Sequence, residues 1–271
     1  MVLATLTVSL MVVAQGTAKA PVAEGPANVE WTPLFNGRDL TGWYSFMQVH
    51  GKNNDPDPVI TIEDGMIRLY KHAEQGAKVV MGYIATEQEY GDYHLIVEWK
   101  WGGPAHGDRA TKARDSGILV HGVGEDGAAS GVWLESIESQ IIEGGAGDLL
   151  MVGGKRQPWL TAQVREGRGN ELYWDESAKP VARDRGRFNW YGRDPEWKDV
   201  LGFRGRQDVE APTGEWNRQE VICDGDTIRN IVNGKLVNSA TDSSHTFGKI
   251  QLQSEGAEIW IRRVEIGPVK H

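Results

Sequence analysis

The sequence contains a single cysteine, Cys223, among 271 residues. An internal disulfide is therefore excluded. Cys223 follows Val221 and Ile222 in an apolar strand pattern, which is typical of a small buried side chain rather than of a nucleophile. The sequence also lacks a long amphipathic helical pattern and an exact internal repeat, so its organisation has to be found in strand patterns and turns.

Basic residues are the minority in this chain. Lys and Arg number 29 against 38 Asp and Glu, and the formal net charge is −9. A nucleic-acid-binding surface needs a basic patch or stripe, and the sequence has none. Nucleic acid is therefore not expected as a partner, and neither is an anionic membrane surface.

The apolar run over residues 2–14 is too short to span a bilayer. It is followed by Ala18-Lys19-Ala20, which matches the small-residue pattern of a signal-peptidase site. We therefore predict a signal peptide over residues 1–20 and a linker rich in Pro, Ala and Gly over residues 21–30. The mature protein is expected to be secreted or periplasmic, with no membrane insertion after cleavage.

Turn residues and aromatics are abundant, with 34 Gly and 11 Trp. Asp224-Gly225 and Asn233-Gly234 each separate two strand patterns, which predicts β-hairpins. Residues 93–101 alternate so that Tyr93, Val97 and Trp101 share one face. Together these features predict an all-β sandwich of two antiparallel sheets, formed as a single domain from residues 31–267. Such a sandwich suits sugar-like or planar ligands, although Trp also fills cores.

Two stretches with strand patterns carry ionisable groups, at residues 114–121 and 135–143. Side chains alternate between the faces of a strand, so Glu138 and Gln140 share a face. In the first stretch Gly117 and His121 share a face as well. A carboxylate in an Ile-rich strand is costly unless it is paired, solvated or used in chemistry. If the two strands are neighbours, a base, an amide and an imidazole line one surface.

The strand pattern is interrupted over residues 165–215, where aromatic residues are interleaved with Arg residues. Long stretches without regular structure in a compact domain are functional or disordered, and the aromatics argue against disorder. We expect an ordered excursion over the sheet, with residues 183–206 covering one edge of the site. Trp190, Arg193 and Trp197 are candidate substrate-binding residues, because Trp stacks on pyranose C–H groups and Arg donates to hydroxyls. A packing flap without ligand contact is the alternative.

An ordered set of short motifs points to one family. The set is Leu34-Phe35-Asn36-Gly37, Leu40-Thr41-Gly42-Trp43, Tyr90-Gly91-Asp92-Tyr93, Ser116-Gly117-Ile118, Glu138-Ser139-Gln140-Ile141, Gly214-Glu215-Trp216-Asn217, Val232-Asn233-Gly234 and Gly248-Lys249-Ile250-Gln251-Leu252-Gln253. In this order the motifs resemble the 3-keto-disaccharide hydrolase family. The chain departs from the family pattern at Asp115, His121 and Glu143, where the family usually has Asn, Arg and Asp.

The resemblance implies a concanavalin A-like jelly-roll sandwich, typically exported by bacteria. It also implies an oligosaccharide or glycoside substrate that is already oxidised at C3 of the sugar. A ketone at C3 acidifies the C2 proton, so a base can remove it and the oxygen at C1 can leave by elimination. Water then adds back to give the free 3-keto sugar. This chemistry needs one base and one group that stabilises the enolate oxygen.

Glu138 is the candidate base, with a structural carboxylate bonded to Arg or a backbone amide as the alternative. His121 is the candidate acid for the leaving oxygen, or else a metal ligand. Gln140 and Asp115 are candidate substrate-binding residues. His121, Glu138 and Glu143, with Asp115, are also candidate ligands for a divalent cation that would stabilise an enediolate, although their spacing matches no known metal motif.

Two non-catalytic functions remain open at the sequence level. A carbohydrate-binding module or lectin on the same fold would explain the Trp content without catalysis. A structural or adhesion domain of a larger surface assembly is the other alternative. The jelly-roll architecture alone does not separate these functions, and the ionisable cluster favours the enzyme.

Overall fold

The computed structural model describes residues 30–270, so the predicted signal peptide and all but the last residue of the predicted linker lie outside the described part. The strands are β1 (Thr32–Pro33), β2 (Trp43–Met47), β3 (Gly51–Lys52), β4 (Ile60–Glu63), β5 (Met66–Leu69), β6 (Gly82–Thr86), β7 (Tyr93–Ala105), β8 (Asp115–Val123), β9 (Glu135–Ile142), β10 (Leu149–Val152), β11 (Leu160–Glu166), β12 (Leu172–Trp174), β13 (Pro180–Arg183), β14 (Gly186–Phe188), β15 (Asn217–Asp224), β16 (Thr227–Val232), β17 (Lys235–Ala240), β18 (Lys249–Ser254) and β19 (Ala257–Gly267). Short 3₁₀ turns at Gly107–Arg109 and Arg168–Asn170 are the only helical elements within residues 30–270.

Two large antiparallel sheets pack face to face. The front sheet has the order β14-β10-β9-β8-β18-β6-β2-β3. The back sheet has the order β17-β16-β15-β7-β19-β5-β4, and β1 pairs with β19 at Thr32 and Pro33. This architecture is a jelly-roll β-sandwich, and the predicted all-β fold is confirmed.

The core between the sheets follows from strand alternation. In β7 the predicted inward face, which includes Tyr93, Val97, Trp99 and Trp101, is at most 2% exposed. Cys223 is fully buried in this core as predicted, and burial raises the pKa of its thiol to about 12. Such alternation buries one face of each sheet and leaves the other available for a site.

A buried amide joins the two sheets directly beneath the outer face of β9. Gln219 of β15 donates from Nε2 to the hydroxyl of Ser139 at 2.8 Å and accepts from the Trp99 indole at 3.2 Å. Ser139 is the residue after Glu138 in β9. A satisfied polar bridge of this kind fixes the position of β9 against the back sheet.

The front sheet is covered on half of its outer face by the loop between β8 and β9. The hydroxyls of Tyr44 and Tyr83 both donate to Asp126 of this loop, at 2.7 and 2.5 Å. Trp133 and Leu134 complete an apolar cluster over that half of the sheet. The other half, formed by β8, β9, β10 and β14, is where ionisable side chains gather.

The excursion over residues 165–215 contains more strand than its sequence indicates. It includes β12, β13 and β14, of which β14 pairs with β10 as the edge strand of the front sheet. The strands β12, β11 and β13 form a separate small sheet. The strands β12, β13 and β14 are only three or four residues long, which is too short for a clear periodicity.

The structure corrects the expectation for Trp190. The side chain is 1% exposed and lies in the main core, with its indole donating to the Gly144 carbonyl at 3.3 Å. In this position it packs between elements and does not offer a face to a ligand.

We therefore expect Trp190→Ala to lower the free energy of unfolding by about 3–5 kcal/mol, the usual range for deleting a fully buried Trp. Urea unfolding measures the change. Trp216→Ala is the matched control, because Trp216 is half-buried on the outer face of the back sheet, beside Lys100 and Arg262. Equal losses in the two variants would contradict the assignment of Trp190 to the core.

Candidate functional site

The two strands that carry the ionisable pattern are neighbours. β8 pairs antiparallel with β9, and Leu119 lies opposite Glu138 while Gly117 lies opposite Gln140. On the other side Glu138 lies opposite Leu150 of β10. The condition under which these strands form one surface is therefore met, and the pairing places Glu138 on the outer face of the front sheet between two leucines.

Glu138 lies over the backbone of Gly117. A Cβ atom at Gly117 would collide with Oε1 of Glu138 and with Oε1 of Gln253 from β18. The glycine therefore makes room for two side chains that meet above β8. Any larger residue at position 117 would displace them.

The carboxyl group of Glu138 is buried, and no described residue forms an ion pair or hydrogen bond with it. The residue is 4% exposed, and within residues 30–270 its Oε1 has no hydrogen-bond partner. Burial is the main cause that raises its pKa well above the usual 4.5, and the neighbouring carboxyls of Glu255 and Asp115 add to the effect. A buried carboxyl that is neither paired nor hydrogen-bonded is typical of a site that uses its proton.

Asp115 and Glu255 complete a carboxyl cluster with Glu138. Burial raises the pKa of Asp115 to about 6, with Arg109 acting in the opposite direction. Burial, with Asp115 nearby, raises the pKa of Glu255 to about 8. The Arg109 guanidinium lies 2.9 Å from Asp115 and 3.3 Å from Asp199, so the excursion contributes Asp199 to this end of the site.

Arg187 brings a second guanidinium to the carboxyl cluster. It lies opposite Leu150 in the pairing of β14 with β10, and Leu150 in turn lies opposite Glu138, so Arg187 is two strands along the sheet from Glu138. Its positive charge lowers the pKa of Glu138 and of Asp115. The buried carboxylate of Asp148 lies 3.3 Å from Arg187, and the Asn238 amide holds β14 through the Phe188 carbonyl at 2.8 Å.

The arrangement suits removal of a proton from a polar ligand on which a negative charge then develops. Glu138 offers a carboxyl of raised pKa, and the Arg187 guanidinium brings positive charge to it. Arg109 brings positive charge to the neighbouring Asp115 and Glu255. A pre-positioned cation stabilises a developing oxyanion more strongly in a partly desolvated site than in water.

His121 lies away from this cluster, contrary to the expectation from strand alternation. The register of β8 against β9 shifts between Val120 and Val123, and His121 has a left-handed backbone with φ of 54°. The bulge turns the ring toward the core, where it meets Tyr93 with centroids 5.6 Å apart. Bulges redirect side chains in this way.

The surroundings of the His121 ring are backbone carbonyls. Nδ1 lies 2.8 Å from the His245 oxygen and Nε2 lies 3.1 Å from the Gly91 oxygen. Burial lowers the pKa of the imidazole. The ring is thus engaged in joining three chain segments, and it is not positioned to protonate a leaving group beside Glu138.

Glu143 has a structural role at the end of β9. Its carboxylate forms a buried ion pair with Arg114 at 2.5 Å and accepts from the Gly202 amide at 2.8 Å. Within residues 30–270, no group of three or more His, Cys, Asp or Glu side chains is arranged to hold a metal ion. The structure therefore does not assemble the candidate ligands His121, Glu138 and Glu143 into one metal centre.

Gln140 is buried on the same strand face as Glu138, and its Oε1 accepts from the Ile141 amide at 2.9 Å. Arg193 is buried against Asp148 and stacks over the half-buried Trp197 at 4.2 Å from the ring centroid. The Trp197 indole donates to the Glu143 carbonyl at 2.8 Å. Arg193 and Trp197 therefore pack the excursion onto the end of β9.

Sequence reasoning missed Arg109, Arg187, Gln253 and Glu255. Gln253 had a usable signal, because alternation in Ile250-Gln251-Leu252-Gln253 puts both amides on one face. Arg187 and Arg109 had none, because each is one of many Arg residues in loop-like stretches. Their places depend on the pairing of β14 with β10 and on the 3₁₀ turn before β8.

A carboxyl cluster with adjacent guanidiniums on the outer face of a jelly-roll sheet defines a site for acid–base chemistry on a polar ligand. The family described as the 3-keto-alpha-glucoside-1,2-lyase-like domain matches residues 30–267. The chain belongs to this family, which confirms the resemblance inferred from its motifs. Family membership places the protein among carbohydrate-active, glycosidase-like proteins. No curated protein matches the chain.

Solved structures give a further comparison. A Parabacteroides distasonis protein, provisionally assigned as a glycosyl hydrolase, is 18% identical with a TM-score of 0.51, covering 89% of this chain and 94% of that chain. A second protein of that description and organism is 20% identical with a TM-score of 0.48, covering 89% and 100%. A Bacillus licheniformis β-glucanase is 12% identical with a TM-score of 0.43, covering 90% and 98%. At this identity the first likeness shows the fold alone.

The raised pKa of Glu138 predicts a pH-dependent cost to stability. An unfolded glutamate ionises near 4.5, whereas folded Glu138 keeps its proton to higher pH. The folded state then binds more protons, so stability falls as pH rises through this window. We expect Glu138→Gln to become more stable than wild type above pH 4.5, with a difference growing by about 1.4 kcal/mol per pH unit until the folded pKa is reached.

Urea unfolding at a series of pH values measures this difference. Glu196→Gln is the control, because Glu196 is exposed on the excursion. Parallel pH profiles for wild type and Glu138→Gln would show that the Glu138 carboxyl titrates normally.

Proposed function

We propose that the protein cleaves 3-keto-glycosides by removing the C2 proton and eliminating the oxygen at C1, with Glu138 as the base. The observation that carries this proposal is the buried, unpartnered carboxyl of Glu138 over Gly117, within the influence of the Arg187 guanidinium. Family membership supports the substrate class. A surface carboxylate kept only for solubility or folding would be exposed or paired.

The first step is proton transfer from carbon. The ionised Glu138 carboxylate takes the proton from C2, and the electron pair of the C–H bond moves to the C3 ketone oxygen as an enolate. Burial makes the carboxylate a stronger base because it raises the pKa. The same burial reduces the ionised fraction at neutral pH, so activity should increase with pH.

The second step expels the leaving group. The enolate re-forms the ketone, the C1–O bond breaks, and a C1–C2 double bond is left. The proton that Glu138 has accepted passes to the departing oxygen, which restores the carboxylate. Water then adds across the double bond, with hydroxyl at C1 and hydrogen at C2, and gives the free 3-keto sugar.

Arg187 is the proposed stabiliser of the enolate oxygen in place of His121. The Arg187 guanidinium lowers the pKa of Glu138, the carboxyl that takes the C2 proton. Asp148, which lies 3.3 Å from the guanidinium, holds it in place. Gln140 and Gln253 border Gly117 on the two neighbouring strands, where amides can orient sugar hydroxyls. Asp115, paired with Arg109, belongs to the proposed substrate-binding surface.

We expect Glu138→Gln to reduce turnover by about 100-fold or more, because it removes the base and keeps the shape of the side chain. The assay measures release of a chromogenic aglycone from a 3-keto-glucoside. Deuterium at C2 should slow wild type if proton removal limits the rate. Near-normal turnover in Glu138→Gln would assign the base to another residue, and sugar binding by wild type without any aglycone release would favour a lectin.

We expect Arg187→Gln to reduce turnover by about 100-fold, the usual effect of losing one oxyanion-stabilising group. The acid limb of the pH–rate profile should also move to higher pH, because Arg187 lowers the pKa of Glu138. Arg183→Gln is the matched control, since Arg183 is exposed on β13. A lower rate with an unmoved acid limb would show that Arg187 does not act on the base.

A further inference from the structure

A pocket lies at the opposite end of β8 from Asp115. It has a volume of about 510 Å³ and is lined by Val123, Arg156, Trp159, Ser244, His245 and Phe247, among others. Val123 is eight residues after Asp115 in β8, which corresponds to a separation on the order of 25 Å along an extended strand. The residues that line the pocket include neither Glu138 nor any other member of the carboxyl cluster, so the pocket is distinct from that site.

Two large aromatic side chains are exposed at this pocket. Trp159 is 52% exposed and Phe247 is 55% exposed. Trp159 is held by its backbone, because its amide donates to the Ser244 hydroxyl at 2.9 Å and its carbonyl accepts from the Ser244 amide at 3.2 Å. Exposed aromatics on an anchored backbone are typical of binding surfaces.

His245 lines the same pocket and carries a buried polar atom without a partner among the described residues. The residue is 9% exposed, and its Nδ1 lies 2.9 Å from the Ser244 hydroxyl. Its Nε2 is buried and has no partner within residues 30–270. A neutral imidazole has one N–H and one bare nitrogen, so either tautomer leaves Nε2 in need of a partner.

A hydroxyl group meets this need whichever tautomer is present, because it both donates and accepts. Arg156 adds a donor, since its exposed guanidinium forms no ion pair with any described residue. Flat apolar faces beside hydroxyl-binding groups match a pyranose, which has C–H faces and a rim of hydroxyls. We infer that this pocket, which we name the Trp159 pocket, binds a pyranose unit of a glycan as a carbohydrate-binding site separate from the Glu138 site.

The test is calorimetric titration of the full chain with cellotriose, laminaritriose and maltotriose, none of which carries a 3-keto group. We expect at least one to bind wild type, with affinity reduced about 10-fold or more in Trp159→Ala, because the variant removes the apolar face on which pyranose C–H groups stack. Phe247→Ala should weaken binding as well. His245→Phe should also weaken it, because it keeps the ring and removes Nε2.

Two controls separate this inference from the proposed reaction. Trp216→Ala removes a half-buried Trp from the back sheet and should leave binding unchanged. Glu138→Gln should lose turnover of the 3-keto-glucoside and keep trisaccharide binding. The inference is overturned if no trisaccharide binds wild type, or if binding is lost in Glu138→Gln and kept in Trp159→Ala.

Discussion

The candidate site depends on the burial of one carboxyl group, that of Glu138, between two leucines. Glu138 is held on the outer face of β9 with Leu119 and Leu150 on either side, and Gly117 leaves the space above β8. Removing a carboxyl from water is unfavourable without a partner. The molecule maintains this position through the rigid pairing of β8, β9 and β10 and through the Gln219 bridge to the back sheet. Local instability of this kind is common where a group is kept reactive.

The electrostatics of the site depend on how its charges are divided between strands and loops. The carboxyls of Asp115 and Glu138 come from central strands, and the guanidiniums of Arg109 and Arg187 come from a turn and an edge strand. The two kinds of charge are therefore positioned by different parts of the fold. Asp148 and Asn238 hold β14 from below, which links the position of Arg187 to the back sheet.

Much of the fold could be predicted because strand alternation and two-residue turns are local signals. The hairpin at Asn233-Gly234 and the inward face of β7 follow from residues close together in sequence. The adjacency of β8 and β9 could be stated only as a condition, because polar groups in two apolar strands do not determine which strands pair. The position of His121 could not be predicted, since a bulge reverses the alternation and leaves no mark in the residue types. Trp190 shows the same limit, because an aromatic in a polar stretch does not reveal whether it faces the core or the solvent.

The sheet edges have a consequence for how copies of the protein behave together. The front sheet ends in β14 at one side and β3 at the other, with three and two residues. An open edge recruits further strands when it is long and flat, and a short edge offers few unpaired amides and carbonyls. The pairing of β14 with β10 therefore has a second effect besides positioning Arg187. It leaves the eight-stranded front sheet with little exposed backbone for edge-to-edge aggregation at high concentration.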